Sequence, residues 1–269
     1  MNRILITGGE GMLGSYFTEG RKLGSNDLDV TDAKAVQIEV EQSKPEIIIH
    51  VAALTDLAVC ENNPEHAFFV NAVGTYNVAR AAQSIGAKMV YVSTSGVFDG
   101  VKEEPYEATD APNPVTVYGH SKYLGELAVQ ALVKNHLIVR ASWLFGGGPG
   151  RDHKFIGKIM SQTVEEIRAV DDKIGSPTYA MDLALHIEQL LRNDEQGIQH
   201  FSSGSATRFN IARELFAITG SKTTVVPVPS SEFPLVYSSG KNEAMERTAG
   251  VRSWQEALAE YLSSEWNNH

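Results

Sequence analysis

Short continuous apolar runs alternate with longer amphipathic stretches through the first half of the chain. Arg3–Thr7, Pro45–Ala53, Lys88–Ser95 and His136–Leu144 are unbroken enough to predict parallel strands buried on both faces. Between them the apolar positions recur at helical spacing. Ala33–Ser43 is one such stretch, with Asp32 placed as its N-cap. A second helix opens at Asn62-Asn63-Pro64-Glu65 and carries Ala67, Val70, Asn71, Val73, Gly74, Tyr76, Val78 and Ala81. A third carries Tyr118, Tyr123, Leu124, Leu127, Ala128, Ala131 and Leu132. The pattern also predicts a helix over about Met12–Glu19, and it leaves little room for a full second strand before Asp32. Past Gly146-Gly147-Gly148-Pro149-Gly150 the alternation loses regularity. Gly175–Tyr179 reads as a turn, and Met181–Arg192, Phe209–Thr219 and Trp254–Trp266 as helices.

The first strand runs directly into Gly8-Gly9-Glu10-Gly11-Met12-Leu13-Gly14, a G-x-x-G-x-x-G turn. Strand, glycine turn and helix form the layout in which free backbone N–H groups meet a pyrophosphate. A tight turn without ligand is the plainer alternative. Asp27 and Asp29 are the acids near the offset from which a ribose is read. Arg21 and Lys22 suit either a 2′-phosphate or solvent, so NAD and NADP both stay open. The expected fold is α/β, a Rossmann-like doubly wound parallel sheet with a smaller C-terminal substrate-binding region. Residues 1–146 would form the NAD(P)-binding domain and 147–269 mostly the substrate-binding region, with about 167–190 returning to the first. The glycine cluster at 146–150 reads as a mobile crossing loop more readily than as a phosphate-binding nest.

Composition narrows the partners. A formal charge of −10 disfavours nucleic acid. The single Cys60 rules out an internal disulfide and a cysteine-built metal cage, and no metal site is expected. No run approaches the roughly 20 apolar residues that span a bilayer, so no membrane partner is expected. Met1-Asn2-Arg3 is too short for a signal peptide ahead of the first strand, which makes the cytoplasm the expected location.

The candidate chemistry lies in Val117-Tyr118-Gly119-His120-Ser121-Lys122. On a helix, Tyr118 and Lys122 are one turn apart on one face. An ammonium beside a phenol would lower its proton affinity from about 10, giving an acid or base suited to an alkoxide. Tyr237 and Lys241 share the spacing, but no helix continues from them and chance accounts for the match. Ser93, Thr94 and Ser95 end a predicted strand, where they could bond a substrate oxygen or simply close a turn. His50 reads as core packing as readily as function. The Asn71 amide is expected to bond a neighbouring element, and the polar loop Gly100–Pro114 to border the site.

Taken in order, several motifs resemble the extended short-chain dehydrogenase/reductase superfamily, and within it the dTDP-4-dehydrorhamnose reductase family. They are Thr7–Gly14, Leu28–Asp32, Val51–Thr55, Val70–Gly74, Val92–Thr94 with Val97–Gly100, Val117–Lys122, Arg140–Gly146 and Gly175–Tyr179, and they cover most of the chain. The resemblance implies an enzyme that uses NADP or NAD to reduce the C-4 ketone of a nucleotide-linked 4-keto-6-deoxysugar, with a homodimer as one assembly allowed. By position it implies that Tyr118 protonates the new alkoxide, and that Lys122 holds the nicotinamide ribose and lowers the Tyr118 pKa. Thr94 would bond the substrate carbonyl oxygen. Gly8, Gly11, Met12 and Leu13 would meet the pyrophosphate, Asp29 and Val30 the adenine, and Ala52, Ala53 and Leu54 the ribose side. Trp143 would pack on the sugar, with Ser95 beside it.

Three departures from the family pattern fall on the substrate side. Thr94-Ser95-Gly96 stands where Thr-Asp-Tyr is common, Lys154 where asparagine precedes Phe155, and Pro234–Ser238 where an Arg-Pro segment is usual. They imply retained redox chemistry with an altered sugar preference. Two other readings stay open. Ser93–Phe98 resembles the serine-rich strand end of extended-type epimerases, and a cofactor-binding regulatory subunit would keep the fold without turnover.

Overall fold

The first apolar run forms strand β1 (Ile4–Thr7) in a computed structural model that describes residues 3–237 and 240–266. Met1, Asn2, Ser238, Ser239 and residues 267–269 lie outside the described residues, and with them the Ser238 end of the Pro234–Ser238 departure. The helix expected over Met12–Glu19 is a single 3₁₀ turn, Gly14–Tyr16. Gly20, at φ 103°, bends the chain straight into the short strand β2 (Arg21–Leu23), so too few residues remain to wind a helix and return to the sheet. Tyr16 is anchored elsewhere. Its hydroxyl donates to Glu265 Oε1 at 2.5 Å and accepts from the Gly147 N–H at 2.6 Å.

Helix α1 (Ala33–Ser43) begins where Asp32 Oδ1 accepts from the Lys34 and Ala35 N–H groups. Strand β3 (Ile47–His50) follows, then α2 (Leu57–Asn62) and α3 (Pro64–Phe68). A π-helical turn at Phe69–Gly74 leads into α4 (Thr75–Ile85). Strand β4 (Lys88–Thr94) is separated by the polar loop from α5 (Val117–Leu132), which returns to β5 (His136–Ala141). Beyond it come β6 (Leu144–Phe145), α6 (Gly148–Arg151), α7 (Phe155–Met160), β7 (Glu166–Val170), β8 (Ile174–Gly175) and β9 (Thr178–Tyr179). The chain then forms α8 (Ala180–Arg192), β10 (Gly197–His200), β11 (Ala206–Thr207), α9 (Arg208–Thr219), β12 (Thr224–Val228) and α10 (Trp254–Tyr261).

Six strands pair in parallel in the order β10-β5-β4-β3-β1-β2. Alternate residues of a strand face opposite sides. Leu5, Ile48, Met89, Tyr91 and Ile138 pack with α1, α4 and α5, while Ile6, Ile49, Val90, Leu137 and Val139 pack with α8, Leu13 and Phe17. Both sides are covered, which is why these strands read as unbroken apolar runs. The strand order reverses at β1 and β3, and the crevice at their carboxyl ends is where doubly wound sheets take ligands.

A separate apolar cluster containing Phe145, Ile156, Tyr179, Leu215, Trp254 and Tyr261 builds the smaller region. The segment that returns to the main sheet runs through α8 and β10, residues 180–200, and not from about 167. β7 pairs with β12 inside the smaller region, while β10 pairs with β5. No helix of the described residues is long and apolar enough to cross a membrane.

Helix α5 is tied to β5 by a buried ion pair. Arg140 donates through Nε to Glu126 Oε1 at 2.9 Å and through Nη2 to Oε2 at 2.7 Å, with Phe98 against the guanidinium. Removing one partner leaves a buried charge alone. Glu126→Ala should therefore destabilise the fold by about 3–5 kcal/mol. Urea denaturation checks this, and a loss below about 1 kcal/mol would show that the pair is not what holds α5 to the sheet.

Candidate active site

Helix α5 starts where its chemistry requires. Thr116 Oγ1 caps it by accepting from the Gly119 N–H at 3.0 Å. A Cβ on Gly119 would collide with the Gly96 carbonyl, so the first turn presses against the chain just beyond β4. That contact sets the Tyr118 phenol beside the Thr94 hydroxyl. Lys122, one turn on, donates to the Val92 carbonyl at 2.9 Å and lies 4.1 Å over the Tyr91 ring.

The expected depression of the Tyr118 pKa is not what this arrangement gives. Burial pushes the phenol up to about 12, and the neighbouring Thr94 side chain only partly offsets it. Lys122 is itself driven down to about 7 by burial. The weakened ammonium turns to Val92 and Tyr91, leaving Tyr118 a protonated donor at neutral pH.

Tyr118, Lys122 and Thr94 open onto a cavity of about 1510 Å³ that reaches from the glycine turn to the smaller region. Gly8, Gly11, Met12 and Leu13 wall it near β1, and Val51 and Ala53 beyond β3. Gly8 has φ 72°, and a Cβ there would meet the Ala52 backbone at 2.6 Å, so only glycine lets the turn close on β3. The Gly11 N–H is taken up by Gly8 O, whereas those of Met12 and Leu13 bond to no acceptor among the described residues. The Ser93 hydroxyl, buried in the same wall, is also without a partner among them. Free amides and an orphaned hydroxyl along a long cleft fit a dinucleotide.

Four residues placed at the cofactor by resemblance do not line this cavity. The backbone of Ala52 packs on Gly8, and Leu54 is held through its N–H and C=O by the Asn71 amide at 2.8 and 2.9 Å. Val30 is buried in the core beside Gly74. Asp29 is exposed, with Oδ1 accepting from the Thr31 N–H and hydroxyl, which hold its carboxyl below the usual range. Arg21 is paired with Glu39 at 2.5 Å, and Lys22 bonds Ser15 O at 2.8 Å. His50 is core, bonded to Thr7 and Thr75 and held neutral by burial. Asn71 bonds neighbouring elements as expected, reaching Ser121 of α5 at 2.9 Å as well as Leu54.

On the substrate side, Ser95 lines the cavity and donates to Ser142 Oγ, also in its wall, at 2.8 Å. Trp143 donates Nε1 to Glu243 at 3.0 Å. Of the cations around it, only Lys154 stands out in the sequence. Arg151, Lys154, Lys158, Arg168 and Arg208 all line the cavity, concentrating positive charge in a protein of net charge −10. Arg151, Lys154 and Lys158 lie close together in the chain, but Arg168 of β7 and Arg208 of α9 join them only in the fold. Lys154 Nζ lies 3.3 Å from Thr55 Oγ1, and burial lowers its proton affinity. Tyr237, passed over in the chance Tyr–Lys pair, also lines the cavity, whereas Lys241 does not.

The RmlD substrate binding domain family matches residues 1–266. The dTDP-4-dehydrorhamnose reductase of Mycobacterium tuberculosis is 36% identical over 291 residues, covering 99% of this chain and 94% of that protein. The crystal structure of the Bacillus anthracis dTDP-4-dehydrorhamnose reductase in complex with NADP superposes with a TM-score of 0.91 at 35% identity, covering 98% of this chain and 99% of that one. The Clostridium acetobutylicum dTDP-4-dehydrorhamnose reductase structure gives 0.92 at 33% identity, covering 97% and 98%. Similarity of this extent over both lobes means that the chain belongs to the dTDP-4-dehydrorhamnose reductase family of the extended short-chain dehydrogenase/reductases.

Proposed function

We propose that the protein is an NAD(P)H-dependent reductase of a dTDP-linked 4-keto-6-deoxysugar, acting at the C-4 ketone with Tyr118 as proton donor. The observation that carries this reading is the meeting of Thr94, Tyr118 and Lys122 on the cavity that the glycine turn also walls. Gly8, Gly11, Met12 and Leu13 would hold the cofactor's pyrophosphate, with the free Met12 and Leu13 amides as donors. When bound, the reduced nicotinamide supplies the hydride. The protein's own task is then to hold the ketone and deliver a proton to its oxygen.

Thr94 Oγ1 and the Tyr118 hydroxyl are neighbours, so one carbonyl oxygen can accept from both. With its pKa near 12, Tyr118 stays protonated until negative charge develops on that oxygen, which is the condition for a general acid. Lys122, titrating near 7, is restored to its charged form by any anion that enters, and it orients the sugar hydroxyls of the cofactor. Membership of the family supports the reductase over the epimerase, since the reaction consumes the reduced cofactor.

Purified protein with NADPH or NADH and a dTDP-4-keto-6-deoxysugar should lose the absorbance of the reduced cofactor. Tyr118→Phe should slow that loss by about 10²- to 10⁴-fold while cofactor binding persists. Interconversion of sugar epimers without net cofactor consumption would instead establish the epimerase. Cofactor binding with no turnover of any nucleotide sugar would establish a regulatory role.

Lys122 also makes a stability prediction. Its proton is held less tightly in the folded chain, at about 7, than at the ordinary 10.5 of the unfolded chain. The resulting penalty is absent above pH 10.5 and grows as pH falls toward 7. Lys122→Met should therefore raise stability at neutral pH by more than about 1 kcal/mol, with the gain vanishing in alkaline solution. Urea titrations across pH test this. A gain that does not depend on pH would mean that the lysine is not desolvated.

A further inference from the structure

The surroundings of Trp143 leave its indole faces unavailable to a sugar. Gly175 lies so close to the ring that a Cβ there would collide with it. The Arg208 guanidinium sits 3.8 Å over the same ring. Two groups this close cannot share a face, so each covers one. Phe155 holds Arg208 from another side, with its ring centre 4.8 Å away.

Arg208 is the first residue of α9, fixed by a reciprocal cap in which Thr207 and Asn210 bond each other at 3.0 and 3.1 Å. Among the described residues its guanidinium makes no hydrogen bond and no ion pair. Glu243, the nearby carboxylate, is bonded to Trp143 Nε1 instead. A planar cation with five donors is thus held by two aromatic rings at the cavity wall and lacks oxygen partners. Glu243 offsets its charge through space, but the donors of the half-buried guanidinium stay free at the cavity wall, which suits an entering oxyanion. The glycine turn accounts for the cofactor's pyrophosphate on the opposite lobe, so the oxyanion for Arg208 belongs to the other ligand. Paired phosphate oxygens match the guanidinium fork.

We infer that Arg208, held against Trp143 and Phe155, binds the diphosphate of the nucleotide-linked substrate, and that Trp143 serves as its platform. This rests on the nucleotide-sugar reading above. Trp143 then positions a phosphate-binding group, and only its edge is left for the sugar.

Calorimetric titration of dTDP, thymidine and NADPH into the wild type, Arg208→Gln and Arg208→Lys tests the assignment. The wild type should bind dTDP at least about tenfold more tightly than thymidine. Arg208→Gln should lose about ten- to a hundredfold in dTDP affinity, with thymidine and NADPH binding unchanged. Arg208→Lys should fall between, because an ammonium keeps the charge without the fork. Undiminished dTDP affinity in Arg208→Gln overturns the assignment and leaves the reductase standing. An equal loss of NADPH affinity also overturns it, by showing a general effect on the fold or the cofactor site. A wild type that binds NADPH but no nucleoside diphosphate overturns the nucleotide-sugar reading, and the assignment with it.

Discussion

The site depends on one amide. Asn71, in the π-helical turn before α4, accepts from the Leu54 N–H and donates to both the Leu54 carbonyl and Ser121 Oγ. Leu54 lies in the segment beyond β3 whose neighbours Ala53 and Thr55 wall the cavity, and Ser121 lies between Tyr118 and Lys122. A single fully buried side chain thus ties the segment beyond β3 to the helix that carries Tyr118 and Lys122. The π turn is part of the device, because an extra residue in one helical turn re-aims a side chain that a regular helix would direct elsewhere. Ser121 continues the link by donating to the Tyr118 carbonyl. Any slackness there would reach the phenol directly.

Desolvation governs the electrostatics. Tyr118 and Lys122 are both pushed toward their neutral forms by burial, against the opposing pull of Thr94 on the phenol and of Glu126 on the ammonium. Such a pair is poised to respond to charge brought in by ligands and does not hold charge of its own. The same cavity collects cations on the smaller region's side, in a chain whose surface must be strongly acidic to reach its net charge. Anionic ligands therefore meet a local potential opposite in sign to that of the whole molecule. The departures from the family pattern sit in this half. Ser95 bonds Ser142 within the cavity wall, and Lys154 adds a cation beside Thr55.

Sequence and structure agree most closely where local physics decides. Unbroken apolar runs became strands because both faces of the sheet are covered, and Asp32 capped α1 because its side chain reaches the first free N–H groups. The glycine turn and the Tyr118–Lys122 helix were legible because each is a short contiguous pattern with its own geometry. They failed to reveal the missing first helix, since Met12, Leu13, Tyr16 and Phe17 carry a helical pattern that one turn and the Gly20 bend satisfy equally well. The return of the chain to the main sheet was misplaced for a related reason. β7 and β10 are both short strand-like runs, and only their partners tell them apart.

By itself, then, the sequence determined the α/β alternation, the glycine turn, the Tyr118–Lys122 spacing on one helix and the family, all of which rest on residues near one another in the chain. Tertiary structure alone decided the proton affinities of Tyr118 and Lys122, because burial is a property of the packed state. It also decided the company of Trp143. Arg208, Phe155, Gly175 and Glu243 come from four distant segments, and no spacing rule connects residues that meet only when two lobes close around a common cavity.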